Sequence, residues 1–165
     1  MKILSIDIGG TFSRFGDFSI SESTLISRNE PFKVPTRSEK VTSLEALLAL
    51  FNQDRPDGFL HAGQYDLIVL GVAGPVMGRQ CSPPNIRWAI DLNTFTYKDR
   101  TMMINDFVAQ AYGLVHPGVA PQLMKVCVQE KATSEGHIAV VGPGTGLGHC
   151  CLVAQGNAAS SPFLH

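Results

Sequence analysis

The sequence carries almost no net charge: 13 Lys and Arg stand against 14 Asp and Glu, a formal −1 at neutral pH. That balance gives no electrostatic footing for a nucleic-acid partner or an anionic membrane. Long apolar runs are missing too, and none approaches the ~18–20 residues that a bilayer-spanning helix needs. The N-terminus, Met1-Lys2-Ile3-Leu4-Ser5-Ile6-Asp7, is charged within seven residues and has no extended apolar core, so it is not expected to be a secretory signal. Cysteine is sparse, at 81, 127, 150 and 151 only. Adjacent Cys150 and Cys151 suit neither an ordinary structural disulfide nor a CxxC redox pair. His149 beside them lies in an apolar, strand-like run, so no zinc site is expected. The expectation is of reduced, mostly buried thiols in a soluble, cytoplasmic protein. Internal repeats and low-complexity linkers are absent as well.

What is present, 44% hydrophobic and 16% charged residues in a chain of 165, suits one ordinary globular domain with a full core. Lys2–Ile8 is a compact apolar run ending in Gly9-Gly10, a buried strand and a tight turn. Arg14–Ile20 alternates loosely as a second strand, and a third is expected over Leu25–Val34, completing an antiparallel meander. The period then changes. Leu44, Leu47, Leu48 and Phe51 form a helical stripe, with Thr42 and Glu45 placed as a capping box and Asp54–Gly58 as its stop. Asp66–Ala73 reads as a strand buried on both faces, as in a parallel sheet. Thr101–Ile104 is another and runs into Asn105-Asp106, where Val108, Ala111, Tyr112 and Val115 resume helical spacing. His137–Val141 and His149–Ala154 flank a glycine-rich turn. The order β-β-β-α-β-α-β-α, followed by a hairpin, is that of a layered α/β domain with a mixed sheet.

Four constellations could carry chemistry. In Asp7-Ile8-Gly9-Gly10-Thr11 a strand delivers a carboxylate to its C-terminal end. The glycines then let backbone N–H groups face a phosphate, and Arg14 follows closely. Asp7 there could hold hydrated Mg²⁺; a plain Gly-Gly hairpin is the alternative. Gly142-Pro143-Gly144-Thr145-Gly146-Leu147-Gly148 is neither a dinucleotide fingerprint nor a P-loop. It could wrap phosphate with backbone amides, or be a flexible turn. Asp106 stands where a strand meets a helix N-terminus, which favours its ionised form; it is either an N-cap or a weak base of the strength that phosphoryl transfer needs. Gly74-Pro75-Val76 with Asn85-Ile86-Arg87-Trp88 offers an amide, a guanidinium and a ring for a polyhydroxylated ligand, although a lone tryptophan such as Trp88 can equally be core.

Taken together and in order, these four constellations resemble the bacterial glucokinase family of the hexokinase and actin-like superfamily, over residues 3 to about 150. The resemblance implies an actin-like (ribonuclease H-like) lobe at 1–115, with an antiparallel meander followed by alternating α/β. Residues 116–165 would then be a connection and the start of a second lobe bearing the second phosphate hairpin. It implies ATP-dependent phosphorylation of the 6-hydroxyl of glucose. Asp106 would be the catalytic base, and Asn105, Gly74, Pro75 and Asn85 would lie on the sugar side. Gly9, Gly10 and Thr11 would meet the ATP phosphates from one side, and Gly144, Thr145 and Gly146 from the other. Asp7 would position Mg²⁺ through water. A homodimer is a further expectation; nucleic acid and membrane are not expected as partners. Two departures stand out: Phe12 occupies a position where the family has Asn, and family members are about twice this length. The chain therefore reads as a first lobe, weakly active or inactive by itself. The alternatives from other classes are a non-catalytic sugar sensor and an actin-like ATPase that ignores sugars. Asp7 comes too early in the chain for the DNA-binding segment that such sensors carry before their first loop.

Overall fold

The computed structural model describes residues 1–22, 24–116, 119, 124, 137–143, 147–154 and 163–164. The chain divides into two compact units, Met1–Asp106 and Phe107–His165.

The first unit is built on a six-stranded mixed sheet. Strand β1 (Lys2–Ile8) lies at its centre, antiparallel to β2 (Phe12–Ser21) on one side and parallel to β5 (Leu67–Val72) on the other. Beyond β5 runs β9 (Thr101–Asn105), also parallel. Leu4, Ile6, Ile8, Ile68, Leu70 and Val72 alternate along the two strands and bury one face of the sheet. On the other face Ser5, Leu67, Val69 and Gly71 are half-buried and Asp7 is exposed, so the strand expected to be buried on both faces is fully buried on one. The expected third strand is in fact two. β3 (Thr24–Ser27) pairs with the end of β2, and β4 (Phe32–Pro35) pairs with its beginning. The chain leaves the ladder between them because Arg28 and Asn29 turn their side chains onto Asp17, and Pro31 has no N–H to offer a neighbour. Asp17 is fully buried, so those donors offset the cost of taking its carboxylate out of water.

Helix α1 (Leu44–Asp54) lays the expected stripe on the core: Leu44, Leu47, Leu48 and Phe51 are its buried residues. Phe51 stacks on Phe15 of β2, ring centroids 4.3 Å apart and nearly parallel, with Phe32 and Phe59 around the pair. The cap lies one residue later than Thr42 suggests. Ser43 is in the extended region and its hydroxyl accepts from the Ala46 N–H at 3.1 Å, so Glu45 falls in the first turn but not at the box position. No α-helix stands between β5 and β9, contrary to the alternating order expected. That connection holds a small antiparallel sheet of β6 (Val76–Met77), β7 (Gln80–Cys81) and β8 (Ile90–Asp91). Pro75, Pro83 and Pro84, which would each break a helix interior, explain the difference.

In the second unit, helix α2 continues from Asp106 to Leu114. β10 (Ile138–Pro143) and β11 (Leu147–Ala154) form an antiparallel hairpin, and β12 (Phe163–Leu164) pairs with β11. Gly142 and Gly148, opposite each other in this hairpin, seat the ring of Phe107; a Cβ at Gly142 would come 2.8 Å from it, and one at Gly148 would overlap it outright. These flanking glycines serve packing. Of the cysteines, Cys81 is buried, but Cys150 is half-buried and Cys151 exposed, because the two alternate across one strand; Cys127 lies outside the described residues.

Candidate active site

Register sets the site. Ile8 of β1 pairs with Val72 of β5, and Val72 pairs with Asn105 of β9. Three parallel strands therefore end on one row and release their next residues at one edge of the sheet: Gly9-Gly10-Thr11, Ala73-Gly74-Pro75, and Asp106. The carboxyl edge of parallel strands is where open α/β sheets bind ligands, because the loops there diverge and leave backbone groups for a guest.

The loops are fastened to one another. The Asn105 side-chain amide donates to the Gly74 carbonyl at 3.0 Å and is 3.5 Å from that of Val72, so β9 is pinned to the loop after β5. Gly74 has a φ of 144°, and a Cβ there would touch Pro84, Cys81 and Pro83 at 3.4–3.5 Å. The 83–88 segment also closes on the first loop: a Cβ at Gly10 would come 2.9 Å from the Asn85 Cβ and 3.1 Å from its carbonyl oxygen. Gly10, Gly74, Asn85 and Asn105 thus meet around one edge, with Gly9, Thr11 and Pro75 in the same loops.

Asp106 is the first residue of α2, directly after the strand, and half-buried. It stands inside the helix's first turn rather than at the cap. Its charge reaches the buried Cys81 thiol, whose pKa is pushed up first by desolvation and then by Asp106. Asp7 is exposed and paired with Arg14, its cross-strand partner, at 3.1 Å. Among the described residues no group of three or more His, Cys, Asp and Glu could form a metal cage. A single exposed carboxylate such as Asp7 fits the other habit of Mg²⁺, which keeps its waters and takes one or two carboxylates plus substrate phosphates, although the Arg14 guanidinium already occupies one of its oxygens. Gly144, Thr145 and Gly146 lie outside the described residues.

Sequence reasoning missed the fastening of the first loop from below. The Thr11 carbonyl accepts from the Thr36 N–H at 2.9 Å and the Arg37 N–H at 3.5 Å, and the buried hydroxyls of Thr36 and Ser13 meet at 2.7 Å. Nothing local marks Thr36 for this role; it follows from the pairing of β4 with β2. Trp88 is half-buried, packs on the core and also faces a cleft between segments 36–42 and 84–88. Phe12 is 47% exposed. No described helix is long and apolar enough to cross a membrane.

A model of the family described as Glucokinase matches residues 4–163. The glucokinase of Zymomonas mobilis is 32% identical over 152 residues, covering 90% of this chain and 44% of that protein. The crystal structure of a glucokinase from an Antarctic psychrotroph is similar with a TM-score of 0.63 at 27% identity, over 92% of this chain and 46% of that one. A ROK family glucokinase from Streptomyces griseus, solved in complex with glucose and AMPPNP, shares the fold with a TM-score of 0.56 at 21% identity, over 99% of this chain and 47% of that one. The actin-like fold class is borne out. This chain spans under half the length of these relatives and resembles their N-terminal half.

Proposed function

The chain belongs to the glucokinase family, and from that premise we propose that it carries the sugar side, the first phosphate loop and the catalytic base of an ATP-dependent glucose kinase. The observation that supports this most is the common row of strand ends at Ile8, Val72 and Asn105, which gathers the phosphate loop, the sugar loop and Asp106 at one edge.

In this reading glucose lies against Gly74, Pro75, Asn85 and Asn105. The amide of Asn105, held by the Gly74 carbonyl, keeps the sugar loop and the base in register. The Asp106 carboxylate accepts the proton of the 6-hydroxyl as that oxygen bonds to the terminal phosphorus of ATP. The bond from that phosphorus to the bridging oxygen breaks, and ADP leaves. An ordinary carboxylate suffices, because in a loose transition state the proton moves late. The N–H groups of Gly9, Gly10 and Thr11 meet the phosphates on one side, and Gly144, Thr145 and Gly146 on the other. Mg²⁺, held by Asp7 through water, would supply charge neutralisation at those phosphates. Positioning and charge stabilisation carry the catalysis, with no covalent intermediate. The division into a first lobe at 1–115 and the start of a second at 116–165, a cytoplasmic setting and self-association belong to the same proposal. So does the expectation that this chain alone is feebly active.

The test is ADP formation by the natural gene product that contains this chain, with glucose, with 6-deoxyglucose and without sugar. Turnover that requires glucose and ignores the 6-deoxy compound supports the proposal. ATP turnover indifferent to sugar would replace it with an actin-like ATPase, and glucose binding without turnover with a sensor.

A further inference from the structure

Five of the seven arginines of this chain are occupied. Arg14 pairs with Asp7 and Arg28 with Asp17. Arg55 donates to the carbonyls of Asn52 and Phe59, Arg79 to that of Lys98, and Arg100 lies over the Tyr97 ring. Among the described residues, only the guanidinium groups of Arg37 and Arg87 make no hydrogen bond, ion pair or ring contact. Both are exposed, and both line the same cleft, one from segment 36–42 and the other from segment 84–88. The cleft has a volume of about 780 Å³, within the range of small-molecule sites.

We propose that this cleft is a binding site for a phosphate group, borne on a small polyol or free, with Arg37 and Arg87 as its clamp. Guanidinium groups are planar forks of donors that match phosphate oxygens two at a time, and they are weakly hydrated, so they release water to an anion readily. Two of them left without internal partners, facing one cavity from separate loops, are placed for an external anion. Glu39 is the one carboxylate lining the cleft, so the two arginines leave a net positive charge. The exposed side chains of Thr42 and Asn85 add neutral donors and acceptors, and Trp88 offers a ring edge or face to a sugar. This inference concerns a cleft that adjoins the proposed sugar side. It uses neither Asp106 nor the glycines of the first loop, but it shares Asn85 with the proposed sugar side, and the backbone of Arg37 is bonded to the Thr11 carbonyl.

Trp88 is the only tryptophan and lines the cleft, so its fluorescence reports occupancy. The experiment titrates inorganic phosphate, glucose 6-phosphate and glucose into the chain and into the Arg37→Gln/Arg87→Gln variant, whose folding is checked by its thermal midpoint. Neither guanidinium has a partner to lose, so the midpoint should not move. The proposal expects a saturable change with a phosphate-bearing ligand, weakened about tenfold or more in the variant, since each charged hydrogen bond lost counts for about a factor of ten. Glucose 6-phosphate binding more tightly than inorganic phosphate identifies a sugar ester as the ligand; equal binding identifies phosphate alone. No saturable response up to about 10 mM, tenfold weaker than a millimolar site, overturns the proposal. So does a response that the variant leaves unchanged, which would place the phosphate elsewhere on the chain.

Discussion

The hydroxyl pair of Ser13 and Thr36 offers a clean quantitative test of how the first phosphate loop is held. Both side chains are buried, at 0% and 3% exposure, and their oxygens lie 2.7 Å apart. Thr36→Val keeps the shape of the side chain and removes one hydroxyl, leaving Ser13 Oγ buried without its partner. Such an orphaned group costs about 1–3 kcal/mol, more than the net value of the bond itself. Ser13→Ala should cost a similar amount for the same reason. The double variant removes both groups together, and two apolar replacements of like shape are close to neutral. The cycle is therefore expected to be strongly non-additive, with the double variant less destabilised than the sum of the singles by about 1–2 kcal/mol, the coupling normal for residues in contact. Urea unfolding of the four proteins measures this directly. In thermal melts each kcal/mol appears as about 2–4 °C for a chain of this size. Additive singles would refute the reasoning and mean that the two hydroxyls find separate partners.

Two further outcomes follow from the buried polar groups. Arg28→Ala strips Asp17, which is fully buried, of its ion-pair partner; the loss should be about 2–4 kcal/mol, below the fully buried case because Arg28 is itself 29% exposed on its side chain. Asp17→Asn in the same background should recover part of that loss in urea unfolding, and no recovery would show that charge is not the cause. Tyr65 is fully buried, and its phenol is pushed up to about 12, first by burial. The folded state then keeps a proton that the unfolded chain releases from about pH 10. Stability is accordingly unaffected below pH 10 and falls between about 10 and 12, by roughly 1.4 kcal/mol per pH unit. Tyr65→Phe should flatten that fall, and an unchanged slope in the variant would assign it to other groups.

Much of the sheet was legible because its signals are local. In Lys2–Ile8 and Leu67–Val72 the alternate residues are apolar and buried, and the α1 stripe is visible for the same reason; burial on both faces was not met, since Val69 is half-buried and Asp7 exposed. What failed depends on distant residues. Leu25–Val34 is apolar enough for one strand, but Asp17, more than ten residues away, captures Arg28 and Asn29 and breaks it in two. The cap moved from Thr42 to Ser43 because either can cap and only the entry angle of the chain decides. The prolines at 75, 83 and 84 were visible, and they argue against the helix that an alternating α/β order demands there. Three of the candidate loops were legible but not as one place, and the fourth, Gly144-Thr145-Gly146, lies outside the described residues. That Gly10 lies on Asn85, and Gly74 on Pro83 and Pro84, follows from loop packing that no local pattern encodes. Thr36 and Arg37 had no signal at all, since their role comes from the register of β4 on β2.

The central claim is that Asp106 takes the proton of the sugar hydroxyl, and the most direct measurement is the steady-state kinetics of Asp106→Asn in the natural gene product. The side chain keeps its size and much of its hydrogen bonding but cannot accept the proton. Loss of general-base action should lower kcat by about 10²–10⁴-fold, while the affinity for glucose, measured separately by isothermal titration calorimetry, changes little. A variant that retains kcat within a few-fold, or that loses activity only through loss of glucose binding, would contradict the assignment of Asp106 as the base.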